Sequence, residues 1–154
     1  CRFSGHCSKF YSVAQHSVLV SYITGPKDAL WGLLHDASEA YLVDIPRPLK
    51  KGGNFEPYLK YEQKMQEAIC LRFGLAVDEP DSVKIADQML LSTEARDLMS
   101  PIRKDWQNTY EPLPFKIEPL GPEQAEDLFV KRFFELRGVP NGHKLYRSFD
   151  IKNI

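Results

Sequence analysis

Residues 29–43 read ALWGLLHDASEAYLV. Leu30, Leu33, Leu34, Ala37 and Tyr41 recur at spacings of three and four, the period of one helix face. His35, Asp36 and Glu39 fall beside that face. A histidine and two carboxylates in so apolar a run are costly to bury unless they are paired or bind a metal. Glu39 lies four residues from His35 and three from Asp36, so a helix projects it to the same side, one turn along. A fold for this chain has to bury this helix and supply partners for the charges on its flank.

The rest of the chain is helical in pattern. Ser12-Val13-Ala14-Gln15 fits a capping box and opens a helix to about Ile23 that carries His16 in its first turns. Gly25-Pro26 ends it and starts the second helix. Asp44-Ile45-Pro46-Arg47-Pro48 cannot continue a regular helix, and Lys50-Lys51-Gly52-Gly53 reads as a polar loop. A third helix is expected over about 56–73, with Gly74 as its cap. A fourth starts near Asp81-Ser82 and runs to about Ser100, where Pro101 stops it; it holds Val83, Ile85, Ala86, Met89 and Leu90, with Asp87 among them. Residues 101–121 are Pro-rich and irregular, a loop long enough to be functional or draped over the core. Gly121-Pro122 opens a last helix over about 122–137. The expected class is all-α, a compact bundle of about five to seven helices. Without a repeat or a composition break, 1–154 reads as one domain. The chain begins at Cys1 rather than Met, so a segment ahead of Cys1 is expected.

Composition narrows the function. The chain has 154 residues, is 43% hydrophobic and carries a formal net charge of −1. That charge gives no basis for bulk nucleic-acid binding. No apolar stretch reaches membrane-spanning length, and no signal peptide is visible, so the expected location is cytoplasmic. The three cysteines, Cys1, Cys7 and Cys70, are odd in number and irregular in spacing. They read as reduced thiols rather than a disulfide framework.

His16, His35-Asp36 and Asp87 fall on three separate expected helices, each among apolar neighbours. Taken singly, a core histidine is usually a hydrogen-bonded residue and a helical aspartate usually a cap or half an ion pair. Together, imidazole nitrogens and carboxylate oxygens suit one divalent transition metal and leave room for water, as hydrolysis requires. Glu39 could orient or deprotonate that water without being a ligand, and Asp44 could handle a leaving group's proton. No Gly-rich phosphate loop or nucleophilic Ser/Cys motif is present.

The order His16, His35-Asp36, Asp87 resembles the HD-domain metal-dependent phosphohydrolases. HDASEAYLVDIPRPLK is similar to the matching stretch of the bacterial 5′-deoxynucleotidase branch, and Arg2-Phe3 precedes His16 as an Arg-aromatic pair does there. The matched motifs span residues 2–50 and about 84–91. The resemblance implies an HD-domain fold in which His16, His35, Asp36 and Asp87 bind one divalent ion (Mn2+, Co2+, Fe2+, Ni2+ or Zn2+). It implies that Glu39 activates the water and that Asp44 assists at the leaving oxygen. Arg2 and Lys50 would face the substrate phosphate and Phe3 the sugar. Phe3 stands where that branch has Trp, which leaves strict deoxy selectivity open. The implied reaction is hydrolysis of a deoxynucleoside 5′-monophosphate. One alternative is a triphosphohydrolase acting on deoxynucleoside triphosphates, with Arg47, Lys50 and Lys51 holding the extra phosphates. Another, of a different class, is a non-catalytic metal- or nucleotide-binding HD protein. A homodimer is a further implied assembly.

The remaining residues carry less. His6, in SGHCSKFYS, is a candidate for phosphate or a second metal, against an ordinary loop histidine. His143 reads as a surface residue. Tyr11, Trp31, Tyr41 and Trp106 read as core. Nothing separates Arg96 and Arg103 from surface charges. Segment 101–121 is a candidate for base recognition.

Overall fold

Ser12 opens the first helix as the sequence predicts, its Oγ accepting from the Gln15 N–H at 3.1 Å. Helix α1 spans Val13–Ile23. The reciprocal half of the capping box is not made. The Gln15 amide instead donates to the Glu118 carbonyl at 2.9 Å and accepts from the Leu120 N–H at 2.8 Å. The computed structural model describes residues 1–43, 45, 50, 53, 55–99, 110–139 and 142. It continues with α2 (Ala29–Leu34), α3 (Glu56–Phe73), α4 (Asp81–Leu98) and α5 (Pro122–Leu136). Short 3-10 turns at Arg2–Gly5 and Ala37–Ala40 complete the order. Among the described residues there is no strand, and the protein is an all-α bundle. Asp44, Arg47, Lys51, Arg103, Trp106 and His143 lie outside the described residues, as does the expected stop at Ser100-Pro101.

Helix α1 is central, packing on α2, α4 and α5. It is buried nearly all round, including Gln15, His16, Ser17 and Ser21, so its polar groups need internal partners. Ser21 Oγ donates to the Val18 carbonyl at 2.7 Å and accepts from Arg132 Nε at 3.1 Å. Helix α2 lies tight against α1 at Gly32, where a Cβ would stand 2.8 Å from Thr24 Oγ1 and 3.3 Å from Ser21 Cα. Tyr11, Val20, Trp31, Cys70, Val83, Ala86, Leu90, Leu98 and Ile117 form the core. Each large side chain there contributes about 1.5–3 kcal/mol over leaving it exposed. Helix α3 ends where Gly74 takes φ +74°, the left-handed cap the sequence predicts.

The expected long second helix is corrected. It stops at Leu34, leaving His35 and Asp36 on a turn ahead of the Ala37–Ala40 turn. The cause is local. His35 Nδ1 donates to the Gly32 carbonyl at 2.8 Å, the group that would accept from the Asp36 N–H in a continuing helix. Tyr41, placed on the buried face by its spacing, is 70% exposed instead, and Ile85 is 42% exposed.

The described part of the irregular segment lies across α4 and α1. Ser92 Oγ donates to the Tyr110 carbonyl at 2.6 Å, and Thr93 Oγ1 accepts from the Leu113 N–H at 2.9 Å. Arg96 donates to the Leu113 and Phe115 carbonyls, and Asp97 accepts from the Ile117 N–H at 2.8 Å. Arg96, indistinct from a surface charge in the sequence, thus has a structural task. No helix among the described residues is long and apolar enough to cross a membrane, and the three cysteines form no disulfide.

Candidate metal centre

Two helices and two turns bring the polar residues together. His16 comes from α1, His35 and Asp36 from the turn after α2, Asp87 and Glu94 from α4, and Arg2 from the N-terminal turn. The ligand atoms of His16, His35 and Asp87 all lie within 4.8 Å of one another. His16 Nε2 is 3.2 Å from His35 Nε2 and 3.3 Å from Asp87 Oδ1. Asp36 Oδ2 is 3.6 Å from His16 Nε2 and 3.3 Å from His35 Nε2.

The other ring nitrogens decide what these contacts mean. His16 Nδ1 lies 2.6 Å from Glu94 Oε1, and His35 Nδ1 lies 2.8 Å from the Gly32 carbonyl. Both partners only accept, so both Nδ1 atoms carry the proton. In the neutral rings both Nε2 atoms therefore turn lone pairs toward each other and toward two carboxylates. Such a cluster needs a proton or a cation at its centre. Donor atoms about 2.0–2.2 Å from one ion stand roughly 3–3.5 Å apart, close to the spacings here. The residues thus fit a divalent cation, with His16, His35 and Asp87 as its triad and Asp36 Oδ2 alongside.

The resemblance implies that Arg2 faces the substrate phosphate, but Arg2 is not among the residues that line the cavity. Its guanidinium is buried among the carboxylates, with Nη1 2.9 Å from Asp36 Oδ2 and Nη2 3.3 Å from Glu94 Oε2. The chain turns it inward through a left-handed bend. Phe3, Ser4 and Gly5 have φ of 54°, 51° and 80°, a conformation that costs about 1–2 kcal/mol at each non-glycine position. The Arg2 N–H to Tyr11 carbonyl bond (3.0 Å) and the Ser8 N–H to Leu98 carbonyl bond (2.8 Å) hold the bend. Phe3 stacks under the guanidinium, 5.0 Å from ring centroid to Cζ. His6 is exposed, with Nδ1 bonded back to the Phe3 carbonyl at 3.0 Å.

A cavity of about 510 Å3 adjoins the cluster, and His35, Asp36, Glu39, Lys50 and Asp87 line it. Glu39 follows Asp36 closely, its N–H bonded to the Asp36 carbonyl at 3.0 Å. Lys50 Nζ reaches the cavity paired with Glu62 Oε1 at 2.6 Å.

Glu94 is the site residue that sequence reasoning missed. It is fully buried. One signal was available: Glu94 is seven residues from Asp87, two helical turns along the same side of α4.

A scan of protein families finds no match to the chain. The uncharacterized protein YfdR of Escherichia coli is 41% identical over 140 residues, covering 88% of this chain and 77% of YfdR. The chain belongs to the YfdR family. An uncharacterized protein of Rhodobacter capsulatus is 34% identical over 93 residues, covering 56% of the chain and 47% of that protein. Neither name states an activity, so the chemistry of this YfdR-family site rests on its own groups.

Those groups hold their charges firmly. Burial opposes the charge on Asp36, but His35, His16 and Arg2 keep its carboxyl far below the usual carboxylate range. Burial also opposes Asp87, which its His16 and His35 neighbours hold down at about 2. Burial pulls the His35 imidazolium down, yet Asp36 and Asp87 outweigh it and push the group up from 6.5 to about 9. A raised folded-state value gives stability that is complete below about pH 6.5 and is lost as pH rises through about 9. The metal-free protein should therefore lose up to about 3 kcal/mol over that window. With Nε2 engaged by a cation, His35 has no such proton to lose. Thermal unfolding in chelator and in Co2+ across this range should give curves that diverge as pH rises. A flat curve in chelator would contradict the expected loss.

Proposed function

We propose that this chain is a metal-dependent phosphohydrolase of the HD-domain type that hydrolyses a deoxynucleoside 5′-monophosphate to nucleoside and phosphate. The observation that carries the reading is the convergence of His16 Nε2, His35 Nε2, Asp36 Oδ2 and Asp87 Oδ1, with both Nδ1 atoms tied off. A cavity of nucleotide size stands beside it.

His16, His35, Asp87 and Asp36 would hold one divalent transition ion, with Mn2+, Co2+, Fe2+, Ni2+ and Zn2+ as the candidates. When bound, it supplies a Lewis acid and a water of lowered pKa. Glu39, on the cavity wall beside His35, Asp36 and Asp87, would orient an attacking water and take its proton. Asp44 handles the proton at the leaving oxygen. Lys50 and Lys84, on the cavity wall, offset phosphate charge; Phe3, which the resemblance puts at the sugar, stacks on the Arg2 guanidinium and is not among the residues that line the cavity. Arg2 contributes positive charge at the metal end. A homodimer and a cytoplasmic location, where the free thiols stay reduced, accompany this reading.

The triphosphate alternative needs more positive charge. Among the described residues the cavity wall offers Lys50 and Lys84 against Asp36, Glu39, Glu62, Glu67, Asp78, Glu79 and Asp87, which favours the monophosphate. The same acidic wall favours a second reading, a metal-binding protein without turnover.

The test is incubation with dNMPs, NMPs and dNTPs in Mn2+ or Co2+, measuring phosphate and triphosphate. Phosphate from dNMPs, lost in chelator, is the expected result. Triphosphate from dNTPs would replace the substrate, and metal retained with no turnover would leave the binding reading.

A further inference from the structure

We propose that Glu94 is the positioning residue of the metal centre, its two oxygens dividing their work between His16 and Arg2. This rests on the metal reading above. Oε1 accepts from His16 Nδ1 at 2.6 Å, and Oε2 accepts from Arg2 Nη2 at 3.3 Å. The side chain is 0% exposed, so no bulk water substitutes for either oxygen.

The chemistry lies in the number of acceptors. An imidazole presents Nε2 to a cation only when Nδ1 keeps the proton, and an acceptor fixed at Nδ1 enforces that tautomer. Glu94 does this for His16 while also meeting a guanidinium. A glutamine of the same shape has one oxygen for these two donors, and for the buried Tyr11 hydroxyl that also lies against Glu94. With its NH2 toward His16, the ring shifts its proton to Nε2 and that ligand is lost. With its NH2 toward Arg2, the guanidinium is driven onto Asp36 Oδ2, already 2.9 Å away. That oxygen meets both imidazole Nε2 atoms, and a cation pressed against it opposes a second cation. Either arrangement weakens the centre.

The test uses the full chain stripped of metal and titrated with Co2+, following the visible absorption of the bound ion. Glu94→Gln should weaken Co2+ binding about 10- to 100-fold. The double variant Arg2→Met with Glu94→Gln should recover most of that loss, because the amide oxygen is then released to His16. A merely structural buried pair predicts the reverse, a double variant no better than the single one. Circular dichroism checks that each variant is folded. Should Glu94→Gln not fold, the wild-type protein decides. Loaded with Zn2+, it should show a His16 Nδ1 proton by nuclear magnetic resonance, far downfield and slow to exchange, with Nε2 metallated. Co2+ binding unchanged in Glu94→Gln, no recovery in the double variant, or a metallated His16 Nδ1 would each overturn the proposal. Wild-type protein that takes up no Co2+ would instead remove the metal reading itself.

Discussion

Glu39→Gln should leave the metal centre loaded and lower turnover by about 10²- to 10⁴-fold, the usual contribution of a general base. The glutamine keeps the volume of the side chain and cannot take a proton from water. Glu39 lines the cavity beside His35, Asp36 and Asp87, while the triad that could hold the ion is His16, His35 and Asp87. Its removal should therefore separate chemistry from binding. Phosphate release from a dNMP under single turnover gives the rate, and Co2+ titration gives the affinity. A rate within a few-fold of wild type would remove Glu39 from the mechanism. A lost ion would make it a ligand rather than a base.

His16→Ala and His35→Ala should both lose the metal yet differ sharply in stability. His16 is 0% exposed and bonds a carboxylate that is itself 0% exposed. Its removal opens a void beside the first turn of α1 and takes a donor from the buried Glu94 charge, a change worth roughly 3–5 kcal/mol. His35 borders the cavity, and its Nδ1 serves only the Gly32 carbonyl. Cavity water can reach that carbonyl once the ring is gone, so above about pH 9, where the His35 imidazolium no longer contributes, the cost should be nearer 1–2 kcal/mol. Urea midpoints and bound metal after dialysis check both statements. Metal retained by His16→Ala, or equal midpoints, would contradict this account.

The helices were legible because their ends are written in backbone chemistry. Ser12, Gly74 and Pro122 fix conformations or caps whatever surrounds them, and α1 and α5 begin, and α3 ends, where those residues predict. The end of α2 was not legible. His35 and Asp36 leave the helix through a side-chain bond to Gly32, a competition that apolar spacing does not record. Of the metal cluster, His16, His35, Asp36 and Asp87 were visible as polar residues stranded in apolar runs. Glu94 escaped because its role depends on an imidazole 78 positions away, and pairings across that distance leave no local pattern. Arg2 was noticed, but its inward course follows from three successive positive φ angles that only glycine would have announced.

The stretch from Tyr110 to Leu120 has a consequence for α4 beyond covering the core. Asp87 and Glu94 point one way from that helix; Ser92 and Arg96 point the other way, Thr93 and Asp97 lie on the flank between, and together these four grip the stretch. Gln15 of α1 then holds its far end at Glu118 and Leu120. The stretch is thus a torsional stop. A helix free to roll by about 20° would sweep a side-chain atom roughly 6 Å from its axis through about 2 Å, as far as a metal–ligand bond is long. Residues that never touch the cavity therefore set the angle at which Asp87 and Glu94 meet the two histidines, and the tuning of the cluster is spread over a part of the chain that looks like mere connection.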